Sequence, residues 1–277
     1  MRQATRLATH LATTSLLSML SSVALAEDEQ EQAPAPKFRY LAAARLQYQP
    51  EYAGAQRYEF KLRPVWALQW GRWRISTSGG NGLLGFGGEV RGDGASTELV
   101  RSDRLKLGLS FRVDSGRSSG DASTTSGLAD VRRTLRGRVY AGYSLTKDWQ
   151  LSGSLSQDLL GRHGGLTAGL DLGWRLKQTA HLEWTAGGGL SAGDATNMRS
   201  YFGVTPQGSA ATGLPVYTPS AGLRDVHAGM GWTWQLTPRW IAFGSAGAAL
   251  QMGPAADSPL TQRRLGGSAA VGLAYRN

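Results

Sequence analysis

The chain has 277 residues, contains no cysteine and carries a formal net charge of +10. The lack of cysteine excludes disulfide bonds, thiolate metal sites and a lipid-modified cysteine at a cleavage site. After residue 26, no segment approaches the roughly 20 consecutive apolar residues of a transmembrane helix. The basic residues do not form runs with interleaved aromatics, so the charge does not indicate a nucleic-acid partner.

Residues 1–26 have the pattern of a cleavable export signal. A basic start is followed by an apolar stretch and then by small residues, which predicts cleavage after Ala26. Serines and threonines interrupt the apolar stretch, so it is too short and too polar to span a bilayer as a helix. Residues 27–37 are acidic and then contain prolines, which predicts a disordered lead-in to one domain at 38–277.

From Phe38 onwards, apolar and polar residues alternate with the period of two that is typical of β-strands. In the first run, Phe38, Tyr40 and Leu46 share one face, and Arg39 and Arg45 lie on the other. Residues 239–251 form another candidate strand but are too apolar for an assignment of faces. The other clear runs are 58–70, 105–114, 134–145, 149–158, 166–176, 181–191, 225–235 and 265–276.

Two weaker candidates at 72–78 and 83–91 bring the total to 12 strands, and ten remain if both are loops. An even number of alternating strands in an exported chain predicts an all-β fold, namely a transmembrane antiparallel β-barrel. The alternative is a soluble exported β-sandwich or lipocalin-like barrel, whose inner face would carry large apolar residues. Here the second face carries Arg, Asp, Glu and Gln, which favours the membrane barrel.

The connections between strands alternate in length, as expected if the N-terminus of the barrel is periplasmic. The segment 92–103 is an exception, because it is a longer connection on the periplasmic side. Long connections at the outer end are expected at 114–131 and 194–221. Tight periplasmic turns are expected at Gly71, 146–147, 178–179 and 237–238. Tryptophans cluster near these turns and predict an interfacial girdle: Trp70, Trp73, Trp149, Trp174, Trp184, Trp234 and Trp240.

Four short motifs are more specific than the alternating strands. They are 197–205, which is followed by 210–217 and Gly222, then 257–260, Tyr52-Ala53-Gly54 and 161–165. Together they resemble the MipA/OmpV family of MltA-interacting outer-membrane proteins over nearly the whole mature chain. The resemblance implies a barrel in the cell outer membrane and, for the namesake member, a scaffold that joins a lytic transglycosylase to a peptidoglycan synthase. Other members are discussed as porin-like or adhesin-like proteins.

One departure from the family is the C-terminus, because family members usually end on phenylalanine and this chain ends Tyr275-Arg276-Asn277. The motif residues have two open interpretations. The aromatics pack a long loop against the rim or lumen, with Gly203 permitting a turn, or they contact a ligand. The residues in question are Tyr201, Phe202, Gly203, Val204, Thr205, Asp257, Ser258 and Pro259.

Catalysis has little support in the sequence. The mature histidines are His163, His181 and His227, and the only candidate pair of base and orienting group is His227 with Asp225. No nucleophile motif accompanies that pair, and the dispersed histidines do not suggest a metal site. We therefore expect no enzyme, no cofactor and no metal.

The polar face of the strands is expected to line the lumen. Its charges predict either a lumen filled by ion pairs or a narrow pore that favours anions. The expected partners are the lipid bilayer and lipopolysaccharide, with a lytic transglycosylase and a peptidoglycan synthase implied by the resemblance. The charged lumen residues are Arg39, Arg45, Arg63, Arg112, Arg136, Arg138, Arg175, Glu183, Asp225 and His227.

Overall fold

The computed structural model describes residues 38–77 and 94–277. These residues form twelve antiparallel strands that close into a barrel, because each strand pairs with its sequence neighbours and β12 pairs with β1. The strands are β1 Arg39–Pro50, β2 Tyr58–Trp70, β3 Trp73–Ser76, β4 Gly94–Arg101, β5 Leu105–Asp114, β6 Thr134–Ser144, β7 Trp149–Asp158, β8 Leu166–Lys177, β9 Leu182–Gly193, β10 Gly222–Gln235, β11 Trp240–Gln251 and β12 Leu265–Arg276.

The predicted count of twelve strands is confirmed, but the predicted position of one strand is wrong. The segment 92–103 was expected to be a connection, whereas β4 (Gly94–Arg101) lies within it. A bulge between Glu98 and Val100 breaks the period of two there, which hides the strand in the sequence. The candidate at 72–78 contains β3, whereas the candidate at 83–91 and the predicted signal and lead-in fall outside the described residues.

The barrel has two unlike ends. One end, here called the turn end, carries the short connections 71–72, 102–104, 145–148, 178–181 and 236–239. The other end, the loop end, carries the longer connections 51–57, 115–133, 159–165, 194–221 and 252–264. With β4 in place, every described connection at the turn end is short, so the exception seen in the sequence disappears.

The outer surface of the barrel is apolar. Side chains on the predicted apolar face point outwards, and Phe60, Leu62 and Trp70 are 70%, 74% and 75% exposed. Exposure of such large side chains around a closed barrel fits contact with lipid rather than with water. Trp70, Trp73, Trp149, Trp234 and Trp240 are exposed and lie beside the short turns, as the girdle predicts. No helix among the described residues is long and apolar enough to cross a bilayer.

The lumen near the turn end is filled by a small apolar cluster on one side. Leu41, Ala67, Ile241 and Ala274 are buried there, and Phe243 packs against them. These residues bring β1, β2, β11 and β12 together at the point where the barrel closes. Ile241 and Phe243 point inwards, which shows which residues of β11 face the lumen. The apolar sequence of this strand did not allow that assignment.

The turns share a repeated threonine motif. The hydroxyl oxygens of Thr146, Thr179 and Thr237 each accept hydrogen bonds from the backbone N–H groups two and three residues later. In each turn the backbone N–H of the threonine and that of the residue before it also donate to the carbonyl three residues beyond the threonine. Such doubly held turns fix the short connections in one conformation.

Candidate functional site

The longest described connection folds into a cap over the loop end. It contains α1 (Ala195–Phe202) and α2 (Pro206–Thr212). Asp194 caps the start of α1 by accepting from the N–H of Asn197, and Thr205 caps the start of α2 by accepting from the N–H of Gly208. The sequence did not predict these two helices, because each has at most eight residues and a weak helical pattern.

Two of the four family motifs, those that contain Phe202 and Ser258, meet in this cap. The segment 252–264 contains a short helix, α3 (Gly253–Ala256), and the buried Ser258 after it donates a hydrogen bond to the carbonyl of Phe202 at 2.6 Å. Phe202 packs with Met198 and Ala255 in a buried apolar cluster. The motif residues therefore hold two loops together, which favours the packing interpretation for Phe202 and Ser258.

Other motif residues extend the same packing. Val204 forms a second buried cluster with Leu260 and Leu128, against which Tyr52 packs. The hydroxyl of Tyr52 donates to the carbonyl of Leu260 at 3.1 Å. Asp257, in contrast, is exposed and pairs with Arg264 at 3.2 Å, and Pro259 is half-buried.

Gly203 does not have the conformation that its predicted role as a turn residue suggests. Its φ is −80° and its ψ is 153°, an extended geometry that any residue adopts. A Cβ atom at this position would lie 2.4 Å from the carbonyl oxygen of Arg199. Glycine is required here by the close approach of the chain to the end of α1, and not by a left-handed turn.

Beneath α1 lies a cavity of about 480 Å³ in the loop-end half of the lumen. Charged side chains dominate its wall, with more arginines than carboxylates. The charged wall residues are Arg112, Arg136, Arg138, Arg224, Asp114, Asp171 and His227. Of the predicted lumen residues, Arg112, Arg136, Arg138 and His227 thus come together at this cavity, and Asp225 contacts His227 beside it.

The remaining predicted lumen residues do not line this cavity. Arg45 and Arg63 lie opposite each other on β1 and β2. Arg39 lies at the turn end of β1, where it is opposite Gln69. Arg175 and Glu183 form an ion pair at 3.3 Å near the turn end of β8 and β9. The lumen charges are thus spread along the barrel, with one group concentrated beneath the cap.

Arg136 is a fixed part of the cavity wall. Its buried guanidinium donates to the carbonyls of Gly164 and Gly165, both at 2.9 Å, and to the carbonyl of Ser156 at 3.0 Å. It also pairs with a carboxylate oxygen of Asp114 at 3.4 Å. These bonds tie β6 to the loop 159–165, which in turn supports α1.

Tyr201 connects the cap to the cavity. Its hydroxyl donates to the other carboxylate oxygen of Asp114 at 2.8 Å, and its backbone carbonyl accepts from Arg117 at 2.9 Å. Burial of the side chain and the adjacent Asp114 carboxylate raise the pKa of Tyr201 well above its usual range. The phenol is therefore a neutral hydrogen-bond donor at neutral pH.

His227 lies between two carboxylates. Its Nδ1 atom is 2.8 Å from Asp225, and its Nε2 atom is 2.8 Å from Asp171. Ser191, the hydroxyl closest to this pair, donates to Asp225 and not to the imidazole. A general base needs one ring nitrogen next to the nucleophile, and here both nitrogens face carboxylates. The arrangement therefore favours a structural network over a catalytic pair.

Arg224 was missed by the sequence analysis. By the period of two it should face lipid, but a bulge between Leu223 and Asp225 shifts the register and turns it inwards. Its guanidinium carbon lies 5.8 Å from the ring centre of Tyr201 and 5.9 Å from that of Phe202. An arginine side chain that faces lipid destabilises a barrel. The presence of Arg224 at a position that the period of two assigns to the lipid side was therefore the one sign of the bulge in the sequence.

The turn end carries a rim of basic side chains. The turns themselves contribute only two acidic residues, Asp103 and Asp148. The same turns contribute four arginines and lysines, namely Arg72, Arg104, Lys147 and Arg239. The adjacent strand ends add Arg39, Arg101, Lys177 and Arg276, of which Arg101 pairs with Glu98. In 38–77 and 94–277, no group of three or more histidine, aspartate or glutamate side chains could hold a metal ion.

Comparison with known proteins identifies one family. The family model described as MltA-interacting protein MipA matches residues 42–277. No curated protein sequence matches the chain. Solved structures with a similar barrel include a NanC porin, with 10% identity, a TM-score of 0.44 and coverage of 84% of this chain and 98% of that one. OmpT of Vibrio cholerae has 8% identity, a TM-score of 0.42 and coverage of 90% and 100%.

Proposed function

Because the chain belongs to the MipA family of MltA-interacting proteins, we propose that it is a non-enzymatic scaffold in the outer membrane. The turn end faces the periplasm in this proposal and engages murein enzymes, namely a lytic transglycosylase and a peptidoglycan synthase. The loop end, with its cap, then faces the cell exterior and contacts lipopolysaccharide.

The observation that carries the proposal is the basic rim at the turn end. The turns carry more cations than carboxylates, and those that bear Lys147 and Arg239 are held by threonine hydrogen bonds, so the turn end has a fixed excess of positive charge. Such a surface speeds encounter with acidic partners and fixes the orientation of binding. It suits docking of a periplasmic protein better than a flexible loop would, because little conformational entropy is lost on binding.

The scaffold proposal is tested by charge reversal at the rim. A triple variant carrying Arg104→Glu, Lys147→Glu and Arg239→Glu changes exposed residues of the turns, outside the strands of the barrel wall. Affinity capture with the full chain from solubilised membranes, followed by mass spectrometry, should recover a murein hydrolase and a synthase. The triple variant should recover about ten-fold less, as expected for several rim charges acting on association.

The matched control changes charge at the loop end. Arg162→Glu, Arg263→Glu and Arg264→Glu also reverse three exposed arginines, but they lie on outer loops. This control should recover both enzymes as well as the natural chain does. Failure of the natural chain to recover either enzyme contradicts the scaffold, and equal loss in both triple variants contradicts the assignment to the turn end.

A second candidate function is a narrow pore that favours anions. The observation in its favour is that two lumen-facing side chains, Thr185 near the turn end and Ser245 in the middle of β11, are exposed to solvent. Water therefore reaches the lumen between the cavity and the turn end. Planar-bilayer recording in potassium chloride gradients tests it: an anion-selective current supports the pore, and no conductance in any salt contradicts it.

A further inference from the structure

The cavity beneath α1 contains a cation that no described protein group pairs with directly. Among residues 38–77 and 94–277, the Arg224 guanidinium makes no ion pair or hydrogen bond, and its Nε atom is buried without a partner. Its direct contacts are the rings of Tyr201 and Phe202. Desolvating an unpaired cation is unfavourable, so this position is stabilised when an anion enters the cavity.

The carboxylates of the cavity do not supply that anion. Asp114 already accepts from Tyr201 and Arg136, and the two oxygens of Asp225 are engaged by His227 and Ser191. The Oδ1 atom of Asp171 lies against the other nitrogen of the same histidine. Asp114, Asp225 and one oxygen of Asp171 are therefore engaged by groups other than Arg224, and its guanidinium keeps its N–H groups for a guest.

We propose that Arg224 anchors a binding site for a small hydroxylated carboxylate, of the chemical class of the sugar acids, in the cavity beneath α1. A guanidinium can form two parallel hydrogen bonds with a carboxylate, and the contacts of Arg224 with the rings of Tyr201 and Phe202 restrict its movement.

The rest of the cavity wall selects the other properties of the guest. Ser154, Thr167 and Ser191 line the same space. The hydroxyls of Thr167 and Ser191 already donate within the barrel, so their oxygens can accept hydrogen bonds from a guest that carries hydroxyls. Two aspartates in the wall, Asp114 and Asp171, and Asp225 next to His227 oppose a guest with two negative charges, so a monoanion is favoured. The volume of about 480 Å³ is in the range of small-molecule pockets.

This site is independent of the proposed scaffold role. It lies beneath the cap at the loop end, whereas the basic rim lies at the turn end. A binding measurement on the purified barrel tests the site without any partner protein, so failure of one proposal leaves the other unchanged.

The experiment is isothermal titration of the purified full chain in detergent micelles with D-glucuronate. Glucose is the matched neutral probe, because it has the same ring without the carboxylate, and inorganic phosphate is the second anion. We expect saturable binding of glucuronate and no binding of glucose. Arg224→Gln should weaken glucuronate binding by roughly ten-fold or more, because a bidentate charged hydrogen bond is lost.

Arg264→Gln is the control variant, because it removes an arginine at the loop end that pairs with Asp257 outside the cavity. It should bind glucuronate like the natural chain. Equal binding of glucose and glucuronate, or an unchanged affinity in Arg224→Gln, overturns the site. Binding of phosphate without glucuronate overturns the carboxylate class. If Arg224→Gln does not fold, Arg224→Lys keeps the charge but not the planar fork, and its unchanged affinity overturns the proposal.

Discussion

At the scale of single residues, Arg136 shows how the lumen charges stabilise the fold. It donates hydrogen bonds to six acceptors on β5, β7, β8 and the loop 159–165. Three of these acceptors are backbone carbonyls, which would lose a charged donor if the side chain were removed. The residue thus acts as a structural bridge between strands and cap.

We expect Arg136→Met to lower the free energy of unfolding by about 3–5 kcal/mol, because buried acceptors lose their partner. Urea unfolding of the refolded barrel in micelles, followed by tryptophan fluorescence, measures this loss. Arg175→Met is the control, because that arginine is half-exposed and makes one ion pair with Glu183. The control should lower the free energy of unfolding by only about 0–1 kcal/mol. Equal losses in the two variants would contradict the bridging role of Arg136.

Residue directions were predictable only where the period of two is unbroken. That period correctly placed Arg112, Arg136 and Arg138 in the lumen, because β5 and β6 pair without a bulge. The same period gives the wrong face for Arg224. A single extra residue at the bulge in β10 exchanges the inward and outward positions of the residues on one side of the bulge. The stacking of this arginine on Tyr201 depends on a helix that the sequence did not predict.

At the scale of elements, the loop 159–165 supports the start of α1. Gly165 has a φ of +62°, and a Cβ atom there would lie 2.2 Å from Oδ1 of Asp194 and 2.5 Å from the N atom of Asn197. These are the two atoms of the helix cap. Gly161 in the same loop has a φ of +65° but no atom within 4 Å of such a Cβ.

We expect Gly165→Ala to loosen the cap, whereas Gly161→Ala should leave it intact. In both variants an alanine must adopt a positive φ, which lowers the free energy of unfolding by about 1 kcal/mol. The two variants differ only in the steric clash of the added methyl group in Gly165→Ala with the cap of α1. Limited trypsin digestion of the folded barrel, read as cleavage after Arg199 in α1, should be several-fold faster in Gly165→Ala. Equal cleavage rates in the two variants would show that the loop does not support the helix.

The turns offer a second test of an element. Replacing Thr237 with valine keeps the shape of the side chain but removes the acceptor of two backbone N–H groups. The expected loss in unfolding free energy is about 1–2 kcal/mol, measured by urea unfolding as above. Thr185→Val, whose exposed hydroxyl makes only a hydrogen bond of 3.5 Å, should have a smaller effect. The reverse order of the two effects would contradict the proposed role of the turn threonines.

At the scale of the whole molecule, the closed barrel could be predicted because its signals are local. Alternation marks the strands, and short threonine turns mark one end. The contents of the loop end could not be predicted in the same way. The cap depends on contacts between residues far apart in the chain, such as Ser258 with Phe202 and Tyr52 with Leu260. No short-range pattern encodes those distances.

The orientation of the whole barrel in the membrane is tested by single cysteines, which are clean probes because the chain has none of its own. Lys147→Cys lies on an exposed residue of a turn, and Arg263→Cys lies on an exposed residue of an outer loop. A large, membrane-impermeant maleimide added to intact cells should label Arg263→Cys and leave Lys147→Cys unlabelled. Permeabilising the outer membrane should make both react. Labelling of Lys147→Cys alone in intact cells would reverse the orientation, and the basic rim would then face the exterior, where no murein enzyme could reach it.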